Sequence, residues 1–423
     1  MNVRRTIAAA PVRLFVALLL LGNAIASAQT QTDTISLERR VLIATRIYTA
    51  GQTYFAHWDA DASFDIDREY ASYVGAITRP IDRREFDLAS MAFVAKFANG
   101  HTWFGDWWLR RRDGQRLGFY AHPIAGQWVV TESTLPNLPV GAVIERVDST
   151  PIAAFYSANR KYLFGSDERW RERTLFEHPY LFPSRFDLGL AGGHTVRVER
   201  SQPFMFHGDD AISDSVTLTR DSVLVIRIPS FAKPQFEDSA LAALRKQPSP
   251  RALVLDLRGN HGGAVPNRLV RALMDRPYHN WLQSTPSSVA LFRSWGVLGS
   301  HSALAWATDA MTVGKPAYSG PVFVIVDGGC YSACEDAVMP FLDNHRATIV
   351  GERTAGSSTQ TTTIDLGDGM AIGIAAVQFR LPDGRRFEGF GLEPDVLVPT
   401  RIEDLRAAAD PALGAILRIL RPK

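Results

Sequence analysis

Three separated segments of the sequence carry side chains that could make and break a bond. In PVFVIVDGGCYSACEDAVMPFLDNHRATIVGERTAGSSTQ (321–360) an apolar strand pattern ends at Asp327. Gly328 and Gly329 follow, and Cys330-Tyr331-Ser332-Ala333-Cys334-Glu335 leads into a helical pattern. Ser332 thus stands where a strand-end loop enters a helix, beside unpaired N–H groups and the positive end of the helix dipole. A serine there can act as a nucleophile with oxyanion donors at hand, although at such junctions it is more commonly an N-cap. In ALVLDLRGNHGG (252–263) a buried-strand pattern runs into a glycine-rich turn. Glycines let the backbone approach a ligand and aim N–H groups at an anion, but alone such a turn is more often a tight strand-to-helix connection. In FANGHTWFGD (97–106) His101 closes a helical pattern. A lone His near a helix end is more often a surface group that complements the dipole. The alternative is a base of near-neutral pKa.

The elements that must position these residues fall into three stretches after an N-terminal leader. The leader, MNVRRTIAAAPVRLFVALLLLGNAIASAQT, places Arg4, Arg5 and Arg13 before an apolar run and ends in Ala26-Ser27-Ala28. That is the three-part secretory pattern, with an apolar run short for a membrane span. Residues 1–28 are therefore read as a signal peptide and the protein as exported, periplasmic or secreted. Residues 29–110 repeat apolar side chains at three and four, and Asp82 with Glu85 three positions on predicts a helix start. Residues 111–204 carry short β-like runs separated by Pro and Gly turns. Within them LPVGAVIERVDSTPIAAFYSANRKYL (138–163) reads as strand, tight turn, strand and helix, similar to the middle of a PDZ domain. LGFY (117–120) would be its carboxylate-binding loop, and such a groove takes a peptide by adding a strand to a sheet edge. Residues 205–423 alternate strands and helices; DSVLVIRI, ALVLDLRG and PVFVIVDGG suit strands covered on both faces, giving an α/β core. The irregular, Ser-rich stretch between Trp281 and Gly320 reads as a lid or substrate-lining insert.

Composition narrows the function classes. A net charge of +2 offers no general field for nucleic acid or an anionic membrane. Ten histidines are scattered and His-Glu-x-x-His is absent, so metal-dependent hydrolysis has little support. No metal or organic cofactor is implied. Two cysteines, Cys330 and Cys334, flank Ser332 and cannot build a disulfide scaffold or a zinc finger. An oxidising compartment permits a bridge between them, while spacing within a regular helix opposes it. Because Cys330 precedes the helical pattern, both states stay open.

Together the motifs resemble the carboxyl-terminal processing, or tail-specific, serine proteases and their tricorn-like relatives, over residues 29–410. LDLRGNHGG matches the strand and turn that carry oxyanion-hole glycines. Ser332-Ala333-Cys334-Glu335 matches the Ser-Ala-x-Glu motif whose first residue is the nucleophile. VGERTAG and GFGLEPDVLVP (389–399) match the later turn and the terminal Gly-x-x-Pro-Asp motif. The resemblance implies a spiral α/β protease core, ClpP/crotonase-like, with a PDZ-like insert and an N-terminal helical segment. It further implies peptide or protein substrates.

The family divides by its general base. In the Ser-Lys branch the lysine follows the Thr-x-Gly turn, and that position here is Ser357; Lys96, Lys161, Lys233, Lys246, Lys315 and Lys423 all lie elsewhere. The tricorn-like branch uses a His in a Gly-His-Thr setting, which Gly100-His101-Thr102 matches, and a Glu that falls at Glu388. The expected site is Ser332 as nucleophile, His101 as base and Glu388 as its support. The oxyanion hole is expected from Gly262 or Gly263 together with Ala333. One departure stands: in tricorn a serine precedes the His and links it to the Glu, and here that residue is Gly100. Glu388 must then reach His101 directly, through Thr102 or through water. A non-catalytic peptide- or ligand-binding protein on the same fold is the alternative, and it has no need of all three side chains.

Overall fold

A computed structural model of the chain describes residues 33–61, 63–200, 214–247, 249–287, 302–306 and 310–421. The export signal expected over residues 1–28 lies outside the described residues. Three helices come first: α1 (Leu37–Tyr54), α2 (Ile66–Ile77) and α3 (Arg83–Val94). Ser36, Asp65 and Asp82 cap them. At α3 the Asp82 carboxylate accepts from Glu85 N at 2.8 Å and Glu85 Oε2 accepts from Asp82 N at 2.9 Å, the reciprocal box that the spacing predicts.

After a short 3-10 turn (Ala95–Phe97) Ala98 takes a left-handed backbone, φ 47°, and the chain doubles back through His101 into β1 (Trp103–Asp106). A purely helical reading of 29–110 misses this strand. Four residues are too few to display a period of two. What makes them a strand is a distant partner, with Trp103 opposite Gly373 and Asp106 opposite Met370. Helix α4 (Trp107–Asp113) follows.

Residues 119–199 form a sheet of their own. It contains β2 (Phe119–Ile124), β3 (Gln127–Ser133), β4 (Val143–Val147), β5 (Thr150–Pro151), β6 (Arg185–Leu190) and β7 (Thr195–Glu199). Helices α5 (Ile152–Asn159) and α6 (Glu168–Thr174) lie between β5 and β6 in the chain. The antiparallel order is β2-β3-β4-β6-β7, with β5 on β4. The predicted strand–turn–strand–helix is β4, a turn through Asp148 (φ 51°), β5 and α5.

The remaining chain builds the α/β core. Its first elements are β8 (Ser215–Leu218), β9 (Val223–Arg227), α7 (Pro234–Lys246), β10 (Ala252–Asp256) and α8 (Asn267–Leu273). Next come β11 (Leu282–Ser287), β12 (Ser302–Trp306), β13 (Val322–Val326), α9 (Ala333–Asp343) and β14 (Ala347–Gly351). It ends with β15 (Thr361–Gly367), β16 (Met370–Ala375), β17 (Gln378–Arg380), β18 (Val396–Leu397), α10 (Ile402–Arg406) and α11 (Pro411–Ile419). The main sheet runs β18-β14-β13-β10-β9-β8, parallel except for β8 against β9. Every residue of β10 and β13 is buried, as nearly all-apolar strands covered on both faces require. One face packs on α7, α8 and α9; on the other, Ala412, Ala415 and Ile416 of α11 pack on Val254, Phe323 and Ile325. This is the α/β fold class expected from the sequence. The stretch between Trp281 and Gly320 holds an antiparallel β11–β12 pair joined by β17; its residues 288–301 and 307–309 lie outside the described residues.

Candidate active site

Ser332 occupies the junction of β13 and α9 with φ 57° and ψ −128°. Such a backbone is costly for a residue with a Cβ and persists only where its surroundings impose it. Here they do. Ser332 N donates to Ser357 O at 3.0 Å, Tyr331 N to Asn260 O at 3.1 Å, and Cys330 N to Asp327 O at 3.0 Å. A disulfide joins Cys330 to Cys334 on either side of Ser332, so the question left open by the sequence is answered by a bridge. Cys330 lies before the first helical residue, which frees the pair from helix geometry. The N-cap reading of Ser332 fails, since its side chain makes no capping hydrogen bond. Its Oγ lies 2.9 Å from His101 Nε2 instead.

Behind His101 runs a chain of polar contacts. Nδ1 lies 2.9 Å from Ser357 Oγ, and Ser357 Oγ donates to Glu388 Oε1 at 2.8 Å. A carboxylate only accepts, so the Ser357 proton points to Glu388 and its oxygen receives Nδ1–H. That fixes the tautomer, leaving Nε2 with its lone pair toward Ser332. Glu388 therefore reaches His101 through Ser357, a route absent from the three expected. A Cβ on Gly100 would lie 2.6 Å from Ser357 Oγ. The hydroxyl that tricorn-like relatives are said to carry before the His is supplied here from the position of the dyad branch's lysine.

Several further residues were not legible as site residues. Asn99 donates from Nδ2 to Glu388 Oε1 at 2.7 Å while its Oδ1 accepts from His101 N at 2.8 Å. Ser166 Oγ accepts from Gly100 N at 2.8 Å and donates to Glu388 Oε1. The Tyr331 hydroxyl donates to Gly100 O at 2.6 Å and sits 2.9 Å from His101 Nδ1. Its ring stacks on His101 at 4.5 Å and on Trp170 of α6 at 4.3 Å. Burial pushes the Tyr331 hydroxyl well above its usual pKa, so it stays a donor. Burial pulls the His101 pKa down to about 3, with His57 adding a smaller push in the same direction. The imidazole is thus neutral and able to accept a proton.

The glycine turn packs directly against Ser332. A Cβ on Gly262 (φ 88°) would meet Ala333 N and Tyr331 O, both at 2.7 Å. The Gly262 amide donates to Asn260 Oδ1 at 2.8 Å. Among the described residues the amides of Gly263 and Ala333 have no acceptor. Of the two glycines expected to face an oxyanion, Gly263 is the one with a free N–H. Asp327, at the end of β13, holds both glycine loops, accepting from Gly259 N at 2.8 Å and Gly329 N at 2.9 Å.

Glu335 ties α9 to the Ser357 loop. Fully buried, it accepts from Gly356 N at 2.8 Å, Ser357 N at 2.9 Å and the Thr354 hydroxyl. Its carboxyl is pushed well up by burial. Glu335→Ala would strand three buried donors, at about 1–3 kcal/mol for each group left unpaired. We expect a stability loss of about 3 kcal/mol or more in urea unfolding. Glu335→Gln should lose less, because an amide oxygen still accepts.

Among the described residues no cluster of His, Cys, Asp and Glu could hold a metal ion. No helix among them is long and apolar enough to cross a membrane.

Comparison with known proteins agrees with the motifs. Residues 222–398 match the family described as Peptidase family S41. A C-terminal processing peptidase, chloroplastic, from Tetradesmus obliquus is 31% identical over 171 residues, 39% of this chain and 33% of that protein. The carboxyl-terminal-processing protease of Synechocystis sp. is 28% identical over 193 residues, 45% of this chain and 41% of that protein. The matches thus span between a third and two fifths of these curated relatives. In fold the chain is similar to mature CPAF complexed with lactacystin, at TM-score 0.68 and 14% identity, covering 91% of this chain and 98% of that one. In sequence over residues 222–398 this chain therefore has the likeness to peptidase family S41 and the carboxyl-terminal processing proteases that its motifs implied, and in fold over most of its length it is similar to CPAF.

Proposed function

We propose that this chain is an exported serine endopeptidase acting on protein or peptide substrates. The observation that carries the reading is the Ser332 Oγ to His101 Nε2 distance of 2.9 Å, made by a serine with a strained backbone and no capping role. Ser332 Oγ attacks the peptide carbonyl and His101 takes its proton at Nε2. The imidazolium so formed is stabilised by Glu388 through Ser357. The tetrahedral oxyanion is received by the amides of Gly263 and Ala333. The proton then passes from His101 to the leaving amine.

The sheet at residues 119–199 supplies a route for substrate capture in this reading. β2 is its edge strand and α6 packs beside it, the arrangement in which a PDZ-like domain adds a peptide C-terminus as a further strand. Arg173 of α6 lies 3.2 Å from His122 on β2 and also donates to Asp327 at 3.2 Å.

A fluorophosphonate probe tests the reading against that of a binding protein on the same fold. The wild-type chain should be labelled at Ser332 and should cleave casein. Absence of both labelling and cleavage would sink the peptidase assignment.

A further inference from the structure

The Cys330–Cys334 disulfide closes a covalent ring over residues 330–334, and no step of the reaction proposed above uses it. Three parts of the candidate site lie inside that ring. Ser332 Oγ stands 2.9 Å from His101 Nε2. The Ala333 amide has no acceptor among the described residues. Tyr331 stacks its ring on His101 at 4.5 Å and donates its hydroxyl to Gly100 O at 2.6 Å. Backbone contacts tie the ring outward to two other loops. Tyr331 N donates to Asn260 O at 3.1 Å, Ser332 N donates to Ser357 O at 3.0 Å, and Cys330 O accepts from Ala355 N at 3.0 Å.

A bridge this short is poorly suited to stabilising the whole fold. In the chain-entropy account a disulfide acts by restricting the unfolded chain, and the restriction shrinks with the length of the loop it closes. Its reach is local. Cys330 ends the loop that leaves β13, and Cys334 belongs to the first turn of α9, so the bridge fastens the approach to Ser332 to the helix that departs from it. Between them Ser332 holds φ 57° and ψ −128°, a backbone that persists only where its surroundings over-determine it. Both cysteines are fully buried in the same core cluster as Leu257, Val326 and Val338. Two thiols need more room than two bonded sulfurs, and a close-packed core yields it only by moving one end of the ring. We infer that the Cys330–Cys334 bridge is a positioning element for Ser332 and the Ala333 amide, and that the chain reaches full activity only when oxidation has closed it. The catalytic part of this inference rests on the peptidase reading. Closure needs a disulfide oxidant, such as oxidised glutathione. One cysteine thiolate displaces one glutathione thiol to give a mixed disulfide, and the second cysteine thiolate displaces the other. The glutathione S–S bond breaks as the protein's forms, and the two cysteine protons end on the two glutathione thiols. Neither cysteine keeps exposed surface in the folded chain, so the bridge forms before this region closes and then resists added reductant.

The test reduces the full chain in denaturant and refolds it either with oxidised glutathione or with dithiothreitol. The double variant Cys330→Ala, Cys334→Ala is the form that cannot close. Thiol titration after denaturation should find no free thiol in the first preparation and both cysteines free in the second. In casein hydrolysis the two open forms should show kcat lower by about tenfold to a hundredfold with KM within about twofold, because small displacements of reacting atoms carry losses of that size. Fluorophosphonate labelling should slow by a similar factor. Refolding the reduced chain again with oxidised glutathione should restore kcat, and the double variant should not respond. Equal kcat in closed and open forms, or a rise in KM at unchanged kcat, would overturn the inference. So would free thiols in the chain refolded with oxidised glutathione. Open forms without a cooperative unfolding transition would also overturn it, because the bridge would then be a staple of the whole fold. Amide hydrogen exchange over residues 330–336 separates this inference from the peptidase reading. A closed wild-type chain that neither hydrolyses casein nor takes the probe defeats that reading alone. Faster exchange at these amides in the open forms would still uphold the clamp, and unchanged exchange would reject it.

Discussion

Ser332→Ala is expected to reduce casein hydrolysis by roughly four to six orders of magnitude while the chain still folds. The size follows from what is removed. Without Oγ there is no atom 2.9 Å from His101 Nε2 to attack a carbonyl, and a water placed there must be oriented anew at each encounter. Folding should survive, because the Ser332 side chain caps nothing and the contacts that hold this junction are made by backbone. The readouts are loss of hydrolysis and of fluorophosphonate labelling, with the unfolding midpoint as control. Retention of more than a few per cent of activity would mean that another residue is the nucleophile.

The second large effect is His101→Ala, which should cost about as much as Ser332→Ala, with the double variant little worse than either, since members of one catalytic unit are not additive. Ser357→Ala and Glu388→Gln should each cost less than His101→Ala, because the base remains and only its orientation and the compensation of its charge are lost. The effects of these two should also fail to add, because both interrupt one path from Nδ1 to Oε1. The pH profile checks the same arrangement. The active form needs neutral His101, and burial lowers its pKa. Activity should therefore rise with pH and reach its plateau below the value of about 6.5 at which a free imidazole titrates. That differs from the expectation drawn from sequence, in which the rise falls between about pH 6 and pH 7 for an unperturbed histidine. A midpoint above 6.5, or Glu388→Gln as damaging as Ser332→Ala, would overturn the hierarchy.

The α/β core was legible because β10 and β13 are buried on both faces and, with β9, read as nearly unbroken apolar runs. Ser332 and His101 stood out for their local settings, one before a helix and one in a glycine turn. β1 was not legible, since its partner lies some 270 residues away and a strand of four residues has no pattern of its own. Ser357 was noticed only as the wrong residue for a lysine, although that same position marks where a group can reach the base. Asn99 and Ser166 act through side chains whose partners are fixed by tertiary packing, and nothing in their neighbourhoods announces it. Gly262 illustrates another limit. A glycine motif shows where the backbone comes close, but which amide is left free depends on Asn260, whose Oδ1 takes the Gly262 proton.

The near-contact between residue 100 and Ser357 makes the two positions trade-offs for one volume. A side chain at 100 would enter the space that the Ser357 hydroxyl fills, with 2.6 Å between the added carbon and Oγ. A hydroxyl can stand there from one loop or from the other, not from both. A lineage that moves it must pass through a chain with neither, or through one in which they collide. Gly100→Ser is thus expected to lower casein hydrolysis on the background of Ser357 and to restore part of it on the background of Ser357→Gly. The two changes form a sign-reversing pair, so an alignment that scores each column separately would record the loss of a relay serine at residue 100 where the atom itself has been kept.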